Sequence, residues 1–141
     1  MKAAHPDALP IAGGTDVMVE INFDRHRPAA FIDLTRIAEL SEWGLEGDLL
    51  RIGAGVTYTR VINELGGQLP GLAMASRTVG SPQIRNRGTV GGNLGSASPA
   101  GDAVPRLPPT VPRLRICGDP TVRAAAASPG QSAPNSSIIR R

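Results

Sequence analysis

The stretch GTVGGNLGSASPAGD, residues 88–102, constrains the fold of this chain more than any other segment. Five of its fifteen residues are glycine, so it lacks the side chains from which a hydrophobic core is built. A glycine-rich backbone can be approached closely by other groups, because no Cβ stands in the way. The segment therefore raises the question of what lies against so much bare backbone.

Apolar patterning before this stretch indicates an alternating α/β chain. A strand is predicted in residues 8–14, a helix in 16–24 with Val17, Met18, Ile21 and Phe23 on one face, and a second strand in 28–35. One or two helical turns are expected in 37–43, and then a hairpin in 44–56 with Gly47 and Asp48 near its turn and Leu50, Ile52 and Ala54 facing inward.

From residue 57 onward, apolar residues recur at the spacing of a helix. Thr57 or Thr59 is expected to cap a helix that Gly66 and Gly67 end, with Val61, Ile62 and Leu65 on its buried face. A second helix is predicted in residues 69–81, with Leu72, Ala73 and either Ala75 or Ser76 packed. Residues 81–93, SPQIRNRGTVGGN, are predicted to be a loop.

Charge divides the chain into a body and a tail. The sequence pI is about 10.0, but residues 1–105 hold nine Lys or Arg against eleven Asp or Glu, whereas residues 106–141 hold six Arg against one Asp. An acidic body with few aromatic residues argues against a nucleic-acid-binding protein. The tail is rich in proline and shows no sustained apolar periodicity, which predicts disorder; a natural flexible basic extension is the alternative.

Cysteine content and hydropathy further limit the kind of protein that this chain can be. Cys117 is the only cysteine, which excludes a disulfide framework and any Cys-built metal or iron–sulfur site within these residues. No apolar run of about 18 residues is present to span a membrane. The expectation is a protein of the reducing cytoplasm that contacts neither membrane nor nucleic acid.

Two glycine pairs follow strand or loop signals and have the same form. AGGTD occupies residues 12–16, and TVGGN occupies residues 89–93. Paired glycines let a backbone turn sharply with its N–H groups outward, which is how phosphate is held without positive side chains. A Gly-Gly pair is more often only a tight turn, and neither loop matches a Rossmann or P-loop motif, so composition and spacing leave both readings open.

Longer motifs carry a resemblance that is much more specific. IAGGTDVMVEIN, FIDLTRIAEL, LRIGAGVTYTRV and above all TVGSPQIRNRGTVGGNLGSASPAGDAVP closely resemble the FAD-binding medium subunit of the molybdenum hydroxylases, the family of xanthine dehydrogenase and carbon monoxide dehydrogenase. The resemblance runs from about Leu9 to Pro105. It implies an α/β (α+β) fold, the N-terminal part of a PCMH-type, vanillyl-alcohol-oxidase-like FAD-binding domain, in residues 1–105.

The resemblance also implies which residues hold the FAD. Two backbone segments would embrace its pyrophosphate, and an acid further on would accept from a sugar hydroxyl. The residues carried over are Ile11, Ala12, Gly13, Gly14, Thr15, Asp16, Val17, Thr89, Val90, Gly91, Gly92, Asn93 and Asp102. Asp102 as a helix cap is the alternative reading. Arg85 and Arg87 flank the second segment, where they either steer phosphate or face solvent or a partner.

Family resemblance further implies the electron path and the partners. Electrons from a molybdopterin-binding large subunit would pass through the [2Fe-2S] clusters of an iron–sulfur small subunit to FAD, and from FAD to NAD or another acceptor. No residue of this chain is a good candidate for a nucleophile or general base, consistent with a flavin that carries the redox chemistry itself. No metal site is expected on the chain.

After residue 105 the chain departs from the family pattern, and we interpret this as truncation. Family subunits are about twice as long, and their C-terminal half completes the flavin site. The abrupt rise in Arg, Pro, Ala and Ser is what a shifted reading frame in GC-rich DNA gives, which is our hypothesis for residues 106–141. The alternative function is accordingly a truncated, inactive relic or interaction remnant without flavin binding.

Overall fold

The computed structural model of the chain describes residues 5–96, 113–117 and 138–139. Within these residues, helices and strands alternate along the first half of the chain, as the sequence predicts for an α/β fold. Asp102 and the rest of residues 97–112 lie outside the described part.

A two-stranded parallel sheet opens the fold. Strand β1 (Leu9–Ile11) pairs with β2 (Phe31–Asp33), and helix α1 (Val17–Asn22) lies between them in the chain. The predicted strands and helix are thus present, but α1 buries none of its residues. Val17 and Ile21 are half-buried, whereas Met18, Val19 and the Phe23 that follows the helix are exposed; Phe23 has 69% of its surface accessible.

A second sheet has four strands in the order β3-β4-β5-β6. After a short 3₁₀ turn (Ala38–Leu40), β3 (Trp43–Glu46) and β4 (Leu49–Gly53) form the predicted antiparallel hairpin. Gly47 takes a φ of 64° at its turn, a left-handed conformation that favours glycine. Leu50 and Ile52 point into the core and are fully buried.

Strand β5 (Arg113–Cys117) corrects the prediction that residues 106–141 lack structure throughout. It pairs parallel with β4, with Ile116 opposite Ile52, and the two-residue strand β6 (Ile138–Ile139) pairs antiparallel with β5. Ile116 packs against the core. The signal lay in the alternation of Leu114 and Ile116, which is too short to register as a sustained period but matches a strand.

Helices α2 (Tyr58–Glu64) and α3 (Pro70–Arg77) cover the second sheet and complete the core. Thr57, rather than Thr59, caps α2 by accepting a hydrogen bond from the Arg60 N–H. Both of the alternatives predicted for α3, Ala75 and Ser76, are buried. The core side chains are Leu50, Ile52, Val56, Tyr58, Val61, Leu65, Leu69, Leu72 and Val90.

Residues 81–93 are not the predicted loop, because helices α4 (Pro82–Arg87) and α5 (Val90–Ser96) occupy this region. The Ser81 hydroxyl accepts a hydrogen bond from the Ile84 N–H and so caps α4, and Pro82 follows in its first turn. A serine followed by proline is a recognised start signal for a helix. The glycines of α5 concealed the second helix, since glycine is a poor helix former.

Tertiary contacts hold α5 in place despite these glycines. The N–H groups of Val90 and Gly91 donate to the carbonyls of Val56 and Ala54, at 2.9 and 2.8 Å. A Cβ at Gly91 would lie 2.4 Å from the Ala54 Cβ, well inside van der Waals contact. Helix α5 can therefore approach the end of β4 only because residue 91 is glycine.

No helix that the structure describes is both long enough and apolar enough to cross a membrane.

Gly91→Ala is expected to destabilise the fold by about 1–3 kcal/mol, because the added methyl forces α5 away from Ala54. Gly67→Ala is the matched control, since a Cβ at Gly67 meets nothing within 4 Å. Its effect should stay within about 0.5 kcal/mol. Urea unfolding followed by circular dichroism measures both, and equal midpoints for the two variants would contradict the proposed close contact.

Glu64 joins the hairpin to α2 and gives the fold a pH dependence. Its carboxylate accepts hydrogen bonds from the Arg60 guanidinium, at 2.7 and 2.8 Å, and from the Trp43 indole N–H, at 2.7 Å. These bonds lower the pKa of Glu64 from 4.5 to about 2. Because the folded state has the lower pKa, the stabilisation is complete above about pH 4.5 and is lost as the pH falls toward 2.

Glu64→Gln should therefore lower the melting temperature at pH 6, and the difference from the wild type should shrink as the pH falls from 4.5 toward 2. The Glu64 side chain is 37% exposed, so solvent screening keeps the effect small. Glu39→Gln is the matched control, because it removes an exposed carboxylate that makes no hydrogen bond in the described residues. A constant difference for Glu64→Gln across this range would refute the assignment.

Candidate functional site

A cleft of about 640 Å³ opens between the two-stranded sheet and the α4–α5 region. This volume is within the range of small-molecule and cofactor sites. The first glycine segment, residues 12–16, and the second glycine segment, residues 89–93, both contribute to its wall, although they are distant in the chain. Ten of the predicted residues line it: Ala12, Gly13, Gly14, Thr15, Asp16, Val17, Thr89, Gly91, Gly92 and Asn93.

Three predicted residues do not line the described cleft. Val90 is buried in the core, where only 5% of its surface is accessible. Ile11 belongs to β1, and its side chain lies beneath Gly14. Asp102 lies outside the described residues, so its role as a hydroxyl acceptor stays a prediction.

The first glycine segment leads from β1 into α1 and presents free backbone donors. Gly14 has a φ of 75°, the left-handed conformation that lets successive N–H groups converge on one side. In the described part of the chain, the N–H groups of residues 12–16 donate to no protein acceptor. Such a run of unpartnered amides beside a cleft is suited to an anion.

Gly13 is needed for a different reason. A Cβ at this position would lie 2.0 Å from the carbonyl oxygen of Arg87. The segment therefore sits directly on the C-terminal end of α4, and no other residue type fits there without a shift of the backbone. This contact brings the first glycine segment next to the second.

The second glycine segment differs from the prediction that its amides are free. The Gly91 N–H donates to the Ala54 carbonyl at 2.8 Å, and the Gly92 N–H donates to the Thr89 hydroxyl at 3.0 Å. Both donors are therefore already in use, because this segment has become the first turn of α5. Its glycines serve close packing, and only the first pair offers backbone N–H groups to a ligand.

Side chains of the second segment retain ligand-binding capacity. The Asn93 Oδ1 is shielded from solvent and has no hydrogen-bond partner among the described residues. The Thr89 hydroxyl, which accepts from Gly92, still has its own proton to donate. A ligand that carries both phosphate and hydroxyl groups would satisfy these atoms together with the free amides of residues 12–16.

Charge in the cleft agrees with binding through amides. Asp16 and Glu20 are the charged side chains that line the cleft in the described residues, and both are acidic. Glu20 was missed in the sequence, since a carboxylate on an exposed helix gives no signal by itself. Phosphate would have to be held here by backbone dipoles, which is the arrangement that the sequence predicts for the first segment.

Apolar side chains form the other walls of the cleft, and sequence reasoning missed them as well. They come from β1, from the turn after β2 and from residues around α2 and α4. Each also belongs to an ordinary apolar element pattern, so nothing in the sequence marked it as ligand-facing. The group comprises Leu9, Leu34, Leu40, Tyr58, Val79 and Ile84.

Arg85 and Arg87 lie near the cleft but do not line it. Arg85 donates to the carbonyls of Arg77, Val79 and Gly80, at 3.2, 3.0 and 2.8 Å, and so closes the C-terminal end of α3. The Arg87 Nε donates to the Gly13 carbonyl at 3.1 Å. Both arginines therefore contact backbone carbonyls, and Arg87 is also exposed to solvent.

Comparison with known proteins agrees with this geometry. Residues 1–110 match the model of the family described as the FAD binding domain in molybdopterin dehydrogenase. The match extends five residues past the boundary predicted at residue 105.

Curated relatives extend the match. The nicotinate dehydrogenase FAD-subunit of Eubacterium barkeri is 44% identical over 101 residues, which cover 70% of this chain and 34% of the relative. The xanthine dehydrogenase FAD-binding subunit of Escherichia coli O157:H7 is 38% identical over 109 residues, which cover 74% of this chain and 37% of the relative. The chain thus spans about a third of the length of the relatives that it matches.

Solved structures share the fold. Quinoline 2-oxidoreductase from Pseudomonas putida 86 matches 68% of this chain with a TM-score of 0.66 and 34% identity, over 34% of its own chain. Carbon monoxide dehydrogenase from Hydrogenophaga pseudoflava matches 66% with a TM-score of 0.63 and 35% identity, over 33% of its own chain. The predicted fold class is confirmed, and the chain belongs to the family of FAD-binding domains of molybdopterin dehydrogenases.

Proposed function

We propose that the cleft binds FAD and that the chain is the flavin-binding part of a molybdenum hydroxylase of the xanthine dehydrogenase type. The observation that supports this most directly is the run of N–H groups at residues 12–16 on the cleft wall, which have no acceptor in the part of the chain that the structure describes. A diphosphate needs several convergent donors, and backbone amides supply them without neutralising side chains. Membership of an FAD-binding family supports FAD as the source of that diphosphate.

The residues of the cleft fit such a ligand. Amides of Gly13, Gly14 and Thr15 would donate to phosphate oxygens, and the Thr15 and Thr89 hydroxyls would add donors. The shielded Asn93 Oδ1 is an acceptor for a hydroxyl group of the ligand. FAD, when bound, supplies the redox chemistry. The chain's part is to bind and orient the cofactor, and the apolar walls exclude water from it.

Partners and electron path follow from the family and are part of the proposal. Electrons would reach the chain from a molybdopterin-binding large subunit through the [2Fe-2S] clusters of an iron–sulfur small subunit, and would leave to NAD or another acceptor. The relatives are named as subunits, in agreement with a multi-subunit assembly. A cytoplasmic location remains a prediction from the single cysteine.

Ala12→Asp is expected to weaken FAD binding at least tenfold, because a carboxylate beside the free amides repels the diphosphate and competes for its donors. Ala12 is half-buried in the cleft wall, so the fold should tolerate the change. Ala38→Asp adds the same charge on the exposed 3₁₀ turn, outside the cleft, and should leave the affinity unchanged. Quenching of flavin fluorescence during titration measures all three affinities.

Riboflavin provides a second test of the phosphate site, since it contains the isoalloxazine ring and lacks the diphosphate. It should bind the wild type weakly, and Ala12→Asp should not weaken it further. Saturable FAD binding that Ala12→Asp leaves intact would reject the first glycine segment as the phosphate site. Absence of FAD binding to the wild type would support the alternative, a relic or interaction remnant that keeps the fold without the cofactor.

A further inference from the structure

Arg87 contacts the first glycine segment with both its backbone and its side chain. Its Nε donates to the Gly13 carbonyl at 3.1 Å, which links positions separated by 74 residues in the chain. Its own carbonyl oxygen lies where a Cβ of residue 13 would be, at 2.0 Å from the ideal Cβ position. Arg87 therefore contacts Gly13 at two points: its side chain at the Gly13 carbonyl, and its own carbonyl beside the Gly13 Cα.

Because a peptide group is planar, the contact between Arg87 and the Gly13 carbonyl also orients the Gly14 N–H. The peptide bond between Gly13 and Gly14 is planar and trans, so the Gly14 N–H points opposite to the Gly13 carbonyl. With the carbonyl fixed on the Arg87 side, the Gly14 N–H is fixed on the other. Gly14 lines the cleft, and its N–H has no acceptor within the described part of the chain.

The following peptide is fixed in the same manner. The Gly14 carbonyl accepts a hydrogen bond from the Met18 N–H at 3.0 Å. The Thr15 N–H points away from that carbonyl and is likewise unpartnered in the described residues. Two consecutive donors on the cleft wall thus depend on two carbonyl contacts, and only the Arg87 contact comes from a side chain.

The residues on either side of Arg87 are hydrogen-bonded to α2. Arg87 ends α4, where the next residue, Gly88, accepts a hydrogen bond from the Tyr58 N–H at 3.1 Å. Its other neighbour, Asn86, accepts from the Thr59 hydroxyl at 2.6 Å. Both partners belong to α2, so hydrogen bonds to this helix position the backbone from which the exposed Arg87 side chain reaches Gly13.

We propose that Arg87 is a positioning residue that orients the Gly13–Gly14 peptide so that the Gly14 N–H faces the phosphate of the bound cofactor. Its side chain does not line the cleft, so it acts through Gly13 and not by touching the ligand. The inference rests on the proposed function for the identity of the ligand. The orientation of the loop, by contrast, is testable without any ligand.

Arg87→Met removes the donor and should weaken FAD binding about five- to tenfold in a fluorescence titration of the full chain. In the ligand-free protein, the NMR order parameters of the Gly14 and Thr15 N–H groups should fall from about 0.85 to below about 0.6. Arg77→Met is the matched control, since Arg77 is an exposed arginine of α3 whose side chain makes no hydrogen bond in the described residues. It should change neither quantity.

Arg87→Lys separates positioning from simple attraction of charge, and it also covers the case in which Arg87→Met fails to fold. Lysine keeps the charge but has a CH2 group at the position of the Arg87 Nε and carries its donors one atom further along, so affinity and order parameters should stay below wild type. Full FAD affinity in Arg87→Lys together with lowered order parameters would assign Arg87 a charge role and overturn the proposal. Unchanged order parameters in Arg87→Met, or in Arg87→Lys where Arg87→Met does not fold, would overturn it as well.

The two proposals can fail separately. If the wild type binds no FAD, the proposed function fails, and the order parameters alone decide whether Arg87 orients the loop. If the wild type binds FAD and Arg87→Met binds it equally well, the proposed function stands and the positioning role is rejected.

Discussion

Three backbone hydrogen bonds join residues 54–58 to residues 88–91, and the geometry of the cleft depends on them. The N–H groups of Tyr58, Val90 and Gly91 donate to the carbonyls of Gly88, Val56 and Ala54. They place the end of α4 and the start of α5 against β4 and α2, where most of the buried core lies. These bonds thereby position Arg87, and the contact between Arg87 and Gly13 positions the first glycine segment. A backbone pairing within the core therefore determines where the cleft's free amides stand.

Much of this arrangement could be predicted from the sequence where the signals are local. The hairpin around Gly47 and the helix capped by Thr57 follow from turn residues and apolar spacing, because each of these elements buries its own periodic face. The motif around Gly91 and Gly92 correctly indicated the family. Local patterns sufficed here because they coincide with the tertiary contacts that the residues make.

The other elements could not be predicted from local sequence patterns. Residues 90–96 contain three glycines and have no intrinsic preference for a helix, yet pairing with Val56 and Ala54 makes them one. Residues 113–117 contain only two apolar residues in alternation, and they form a strand because they pair with β4. In both cases a partner distant in the chain determines the structure, and propensity gives no information about that partner.

The same dipeptide also serves two physical purposes in this cleft. At residues 13 and 14, glycine permits close packing and a left-handed turn, and the N–H groups there have no acceptor among the described residues. Those groups can hold an anion although the charged side chains that line the described cleft, Asp16 and Glu20, are acidic. At residues 91 and 92, the N–H groups are consumed within the protein, and the absence of a Cβ at Gly91 lets two backbones meet. A glycine pair in the sequence shows that something approaches the backbone closely. Whether the approaching group is a ligand or the protein itself depends on what already satisfies the N–H groups, and here the Ala54 carbonyl and the Thr89 hydroxyl decide it.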